Sequence, residues 1–226
     1  MWGRFDRIYL VTGDCCHHRR QGVMQELDRV GIARHPGFAM LRGQFRSSHE
    51  AHERALCDFA NSRSGGMCLI LEDDIRFLKD VKELERIVRS APPADIVNFD
   101  PFMHLAPGAM AEAKRHPFIH WGEGICGTSC YSVSKIAALC LSLSYSRHRE
   151  QPPDSPLFLG HQDLYTAIST SHACVQLTFL ESVNAQRYGV DCIHEVYGRE
   201  PVRYPLFAVP EGYGYGRAID RTGAVI

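Results

Sequence analysis

The chain has 226 residues, of which 45% are hydrophobic and 23% charged, with a formal net charge of −1. That suits one sizeable globular domain able to bury a core without staples, and it gives no support to a nucleic-acid partner. Nine cysteines, an odd number, show no CxxC zinc spacing. Cys57, Cys68, Cys140 and Cys174 lie in apolar runs and read as buried thiols in a reducing compartment, so the expected location is cytoplasmic. Arg4, Asp6 and Arg7 interrupt any signal-peptide order, and no apolar run approaches the roughly 20 residues of a spanning helix. No transmembrane segment is expected; peripheral membrane contact stays open, although no basic amphipathic helix argues for it.

Arg7 to Thr12 reads as a buried strand that turns at Gly13 and Asp14. Val23, Leu27 and Val30, with Met24 beside them, give the next segment one apolar helical face, closed by Gly31. A second strand follows at Gly37 to Leu41. Ser47 to Glu50 has the Ser-x-x-Glu capping box of a helix whose stripe is Ala51, Ala55, Leu56 and Phe59.

The chain then runs Met-Cys-Leu-Ile-Leu-Glu-Asp-Asp over Met67 to Asp74. An apolar run of this kind reads as a strand buried on both faces, as in a parallel sheet. Three adjacent carboxylates at its carboxyl end must be solvated or must hold a cation, because burying them unneutralised costs several kcal/mol. Ligands of open α/β sheets bind at the carboxyl ends of strands. The cluster is therefore a seat for a divalent metal and its phosphates, or else a solvated acidic turn. Strict alternation would put Glu72 and Asp74 on one side and Asp73 on the other.

Asp80 to Val88 is a third helix ended by Pro92-Pro93, and Asp95 to Phe99 another short strand. Residues 101–118 look irregular. A glycine-punctuated segment from Trp121 runs into a strand at Tyr131, after which Ser134 caps a helix carrying Ile136, Leu139 and Leu143. Asp163 opens a helix through Leu164 and Ile168, and Cys174 to Leu177 forms a last core strand. Prolines and glycines from Arg199 onward suggest an irregular tail, so a single domain has its core at about residues 5–198 and its tail at 199–226. Alternating strand and helix signals predict an α/β sandwich with a mixed, mostly parallel central sheet.

Arg7 to Arg20, the Ser48-His49 helix start, Leu69 to Ile75 with its Glu-Asp-Asp-Ile, Gly127 to Tyr131 with Ser134-Lys135, and Asp163 occur in a familiar order. The pattern resembles family 25 glycosyltransferases, among them lipooligosaccharide and collagen galactosyltransferases. It departs from them in Tyr9 to Thr12, where Ile-Asn-Leu is usual, and in lacking a Trp on the Ser-His helix. The acidic stretch late in the chain is reduced to Asp163.

The resemblance implies a GT-A (nucleotide-diphospho-sugar transferase) fold and a metal-dependent, inverting transfer of a hexose, galactose or glucose. The donor would be a nucleotide-diphosphate sugar, UDP-linked, and the acceptor a hydroxyl of a glycan or glycoconjugate. Glu72 to Asp74 matches the DxD-type motif, with Asp74 on Mn²⁺ or Mg²⁺ and Glu72 nearer the ribose, Asp73 lying between them in the donor site. Hard oxygen ligands suit either ion.

Thr12 ends the matching first strand on the donor side. Arg19 and Arg20 match the basic end of the first loop and hold a phosphate or the base, or else are two solvated helix residues. Gly127, Thr128 and Tyr131 match a glycine loop facing the sugars, or form a buried strand with a turn. Asp163 is the candidate general base, taking the acceptor proton, with helix capping as its competing role. His194 is the candidate histidine on the metal, with His172 as rival and a surface histidine as the plain alternative. Cys15-Cys-His-His18 is rejected as a zinc site, since four consecutive side chains point around a helix axis. Two other readings remain: a nucleotidyltransferase, for which Thr12-Gly-Asp14 is a poor phosphate loop, and a non-catalytic glycan- or nucleotide-binding module.

Overall fold

A computed structural model describes residues 1–14, 17–44, 48–99, 118–120, 128–147, 166–169 and 174–176. After a 3-10 turn at Trp2–Arg4 come β1 (Phe5–Gly13), α1 (His17–Arg29), β2 (Phe38–Gly43), α2 (Ser48–Asn61), β3 (Met67–Glu72) and β4 (Ile75–Phe77). Then follow α3 (Val81–Ser90), β5 (Ile96–Asn98), β6 (Phe118–His120), β7 (Cys130–Ser134), α4 (Lys135–Arg147), β8 (Thr166–Ser169) and β9 (Cys174–Gln176). One seven-stranded sheet has the order β2-β1-β3-β7-β5-β8-β6, and β4 pairs with β9 in a separate ribbon. β2, β1, β3, β5 and β8 run in one direction, β7 and β6 in the other. The expected α/β sandwich on a mixed, mostly parallel sheet is the architecture observed.

The central strands are apolar on both faces because both faces are covered. Ile8 and Leu10 of β1 with Leu69 and Leu71 of β3 pack beneath Val23 and Leu27 of α1 and Leu84, Ile87 and Val88 of α3. The alternate residues, Tyr9, Val11, Cys68 and Ile70, pack on the other face against Ala51, Ala55, Leu56 and Phe59 of α2 and Ala137, Ala138 and Leu141 of α4. Local signals set the helix ends. Gly31 closes α1 at φ +81°. Asp80 caps α3 by accepting from the Glu83 N–H at 2.8 Å, and Ser134 caps α4 by accepting from the Ala137 N–H at 3.1 Å. The carbonyls at the end of α3 are gathered by Arg4, which donates to Val88, Ala91 and Pro92 at 3.0, 2.6 and 3.0 Å.

Gly37 leads into β2 where the chain passes the start of β1, and a Cβ there would collide with the Asp6 carbonyl oxygen. Gly37→Ala is expected to cost about 1–3 kcal/mol through forced backbone displacement. Thermal melting checks this, and an unchanged Tm would refute the close approach.

Several expectations are corrected. Residues 166–169 form a strand, not the helix expected through Ile168. Thr166 pairs with Ile96 of β5, and Ala167 and Ser169 are buried, the period of a strand. β9 lies in the ribbon with β4 and is not a strand of the main sheet. On α4 the expected apolar stripe faces outward: Ile136, Leu139 and Leu143 are 69%, 54% and 54% exposed, while Ala137, Ala138 and Leu141 are buried. Small residues let α4 lie close to α2 over the sheet, and that contact decides which face turns in. Cys68 is buried as expected, Cys57 and Cys140 are only half-buried, and all three are free thiols, as is the buried Cys130. Cys174 lies in β9, and residues 199–226 lie outside the described residues. Among the described residues no helix is long and apolar enough to cross a membrane.

Candidate functional site

β1 and β3 are parallel neighbours with Val11 in register with Glu72, so their carboxyl ends open side by side. β1 leads into α1, which brings Arg19 over those ends on its first turn. β7 runs the opposite way beside β3, Cys130 opposite Leu71, so the residues leading into it reach the same end of the sheet. There the Glu72 N–H donates to the Ser129 carbonyl at 2.9 Å. Topology thus gathers Thr12, Arg19, Arg20, Glu72, Asp73, Asp74 and Thr128, seven of the residues singled out from the sequence.

The three carboxylates divide two ways. Arg19 Nη2 lies 2.5 Å from Asp73 Oδ1 and 2.8 Å from Asp74 Oδ2, and both acidic side chains are about 5% exposed or less. Thr12 Oγ1 donates to the other Asp73 oxygen, Oδ2, at 2.5 Å. Glu72 turns elsewhere: its Oε1 accepts from Thr128 Oγ1 at 2.6 Å and lies 2.8 Å from His52 Nε2. This overturns the expected alternation of Glu72 and Asp74 against Asp73. The strand stops at Glu72 and the chain turns through Asp73 and Asp74 before β4, so the period of two does not carry past Glu72.

His52, on α2, escaped the sequence reading. It is 1% exposed, with Nδ1 3.0 Å from the Tyr131 hydroxyl. A carboxylate only accepts, so Nε2 is the donor to Glu72, and the Tyr131 hydroxyl completes the other ring nitrogen. The available signal was its spacing: His52 falls with Ala55, Leu56 and Phe59 on the buried stripe of α2, where a polar side chain needs a partner. Tyr131 is itself fully buried, so it faces α2 and the core and does not line an open sugar site. Arg20 Nη1 donates to the Gly13 carbonyl at 3.4 Å, and neither arginine is a solvated helix residue.

The surroundings push the carboxyls apart. Burial works to raise the Glu72 carboxyl, but the His52 and Thr128 hydrogen bonds with the Arg19 charge outweigh it and hold it below the usual value of 4.5. Burial pushes the Asp73 carboxyl up, against the pull of Arg19 and the Thr12 hydroxyl, and the Glu72 charge adds to that rise.

Asp73 and Asp74 converge on one cationic nitrogen. Two carboxylate oxygens meeting at one point are a donor set that suits a hard ion such as Mg²⁺ or Mn²⁺, which commonly takes one or two carboxylates and leaves the rest to substrate phosphates and water. Among the described residues no group of three or more His, Cys, Asp and Glu could hold a metal by itself. Gly127, Asp163, His172 and His194 lie outside the described residues, as do Cys15 and Cys16. Asp163 stands three residues before β8, whose first residue is level with Cys68 through β5 and β7.

No protein-family model and no curated protein sequence matches this chain. Among solved structures, A197 from STIV is similar at 11% identity and a TM-score of 0.44, over 75% of this chain and 83% of that one. A glycosyltransferase involved in glycosylation of the major capsid of PBCV-1 is similar at 17% identity and a TM-score of 0.37, over 65% and 69%. The glycosyltransferase GlyE of Streptococcus pneumoniae TIGR4 gives 10% identity and a TM-score of 0.39, over 88% of this chain and 53% of that one.

Proposed function

We propose that the protein is a GT-A glycosyltransferase akin to family 25, moving a hexose from a UDP-linked donor to a hydroxyl of a glycan or glycoconjugate with inversion. The observation that supports it is the Asp73–Asp74 pair at the carboxyl end of β3, faced by Thr12 of β1 and by the first-turn cation Arg19 of α1. That is where an open α/β sheet binds its ligands, and it brings acidic and basic groups together where a metal and a diphosphate both need partners. On this reading Asp74, with His194, holds Mn²⁺ or Mg²⁺, and Arg19 and Arg20 answer the phosphates. When bound, the ion neutralises charge that develops on the departing nucleotide diphosphate. Glu72, fixed by His52 and Thr128, presents its carboxylate toward the ribose, and Gly127 lies on the sugar side. A carboxylate takes the proton of the acceptor hydroxyl as that oxygen attacks. The setting is cytoplasmic.

A panel of nucleotide sugars, each with and without Mn²⁺, tests this by thermal shift. A UDP-hexose should raise the Tm only with metal present, a ligand at 100 times Kd adding about 2.7 kcal/mol to stability. If no nucleotide sugar gives a metal-dependent shift, the reading fails. If one does but is neither transferred nor hydrolysed, the protein is a binding module.

A further inference from the structure

We infer that Arg19 is a built-in competitor of the metal: its guanidinium and a divalent cation neutralise the same two carboxylates, so one must leave for the other to bind. The inference rests on the proposed reading only in taking a metal at Asp74, and it concerns the protein before any nucleotide arrives. One nitrogen, Arg19 Nη2, reaches Asp73 Oδ1 at 2.5 Å and Asp74 Oδ2 at 2.8 Å. Arg19 is 12% exposed and the two acids 5% and 4%, so this contact lies largely out of solvent. A buried acidic pair needs a cation, and here the chain supplies its own. The guanidinium already fills the point on which the two carboxylates converge.

A divalent ion held by those oxygens would lie within a few ångströms of the guanidinium, and two cations that close repel strongly in a site of low dielectric. Metal binding therefore costs the Arg19 ion pairs, and the released guanidinium needs a new anionic partner, which a diphosphate supplies. Arg19 also sits in the first turn of α1, the end of a helix dipole that disfavours a cation, so its place depends on the two acids. The metal alone should accordingly bind poorly to the intact protein.

The test is Mn²⁺ alone, with no nucleotide, on the full chain by calorimetry and thermal melting. Arg19→Gln should bind Mn²⁺ about tenfold tighter or more than the unsubstituted protein, the scale of effect a neighbouring charge has on a carboxylate. Its Tm should fall in chelator and be restored by Mn²⁺, a larger rise than the ion gives the unsubstituted protein. That readout works even if the variant is barely folded without metal. Arg19→Lys keeps a cation and should stay a weak binder, while adding Asp74→Asn to Arg19→Gln should abolish the gain. Equal or weaker Mn²⁺ binding by Arg19→Gln, or no Mn²⁺ rescue of its Tm, overturns the inference, as does a gain that survives Asp74→Asn. Failure of the nucleotide-sugar panel, by contrast, would leave this Mn²⁺ result standing.

Discussion

His52→Ala is expected to destabilise the protein by about 3 kcal/mol, because losing a hydrogen bond to a charged group costs about 1.5–3 kcal/mol and the change also removes a second buried contact, with Tyr131. Glu72 Oε1 loses the imidazole at 2.8 Å and keeps the Thr128 hydroxyl, and the Tyr131 hydroxyl loses the ring nitrogen at 3.0 Å inside the core. The cause can be separated from a simple cavity by a double-mutant cycle with Glu72→Gln, measured in denaturant. If His52 acts by holding the Glu72 charge, the second substitution should cost about 1–3 kcal/mol less than it does alone. Additive costs would sink the pairing.

The pH dependence follows with a definite sign. Glu72 is held below its usual value in the folded state, so its contribution to stability is present above the ordinary carboxyl value of 4.5 and is lost as pH falls through the depressed folded value. Asp73 is pushed the other way, and its contribution is present in acid and lost as pH rises through the raised value. The two partly cancel in the intact protein, so the loss of stability in acid should be shallower than Glu72 alone would give. Glu72→Gln should remove the acid-side loss and also lessen the opposing contribution of Asp73, because the Glu72 charge adds to its rise.

Much of the site was legible because backbone order fixes it. An apolar strand ending in acids, beside a first strand ending in Thr12 and followed by a basic helix start, needs only parallel pairing to bring Asp73, Thr12 and Arg19 together. What was not legible depended on contacts distant in sequence. His52 meets a carboxylate 20 residues on and a hydroxyl 79 residues on, and neither separation leaves a local pattern. The turned-out face of α4 is not legible from periodicity because apolar residues fall on two of its faces, and packing against α2 and the sheet takes the one with Ala137, Ala138 and Leu141. Residues 164–169 satisfy two periods at once: Leu164 and Ile168 are spaced as on a helix, Ala167 and Ser169 as on a strand, and pairing with β5 selects the second.

Asp74→Asn is expected to abolish metal-dependent donor binding while leaving the melting temperature of the metal-free protein nearly unchanged or slightly higher. The two halves have separate causes. Asn keeps the shape of Asp, and Arg19 keeps its 2.5 Å contact with Asp73, so the buried cation is not orphaned. The end of β3 carries three adjacent acids, and losing one negative charge there relieves repulsion. A divalent ion is served differently, because a neutral amide oxygen is a much weaker partner than the carboxylate it replaces. The Mn²⁺-dependent rise in stability with a nucleotide sugar, about 2.7 kcal/mol at 100 times Kd, should therefore vanish. Asp73→Asn gives the contrast: it disturbs the hydrogen bond with Thr12 as well, so its metal-free melting temperature should fall below that of Asp74→Asn. An Asp74→Asn protein that binds donor normally with Mn²⁺ would remove Asp74 from the metal, and a large drop in its metal-free Tm would mean that its bond to Arg19 serves stability first.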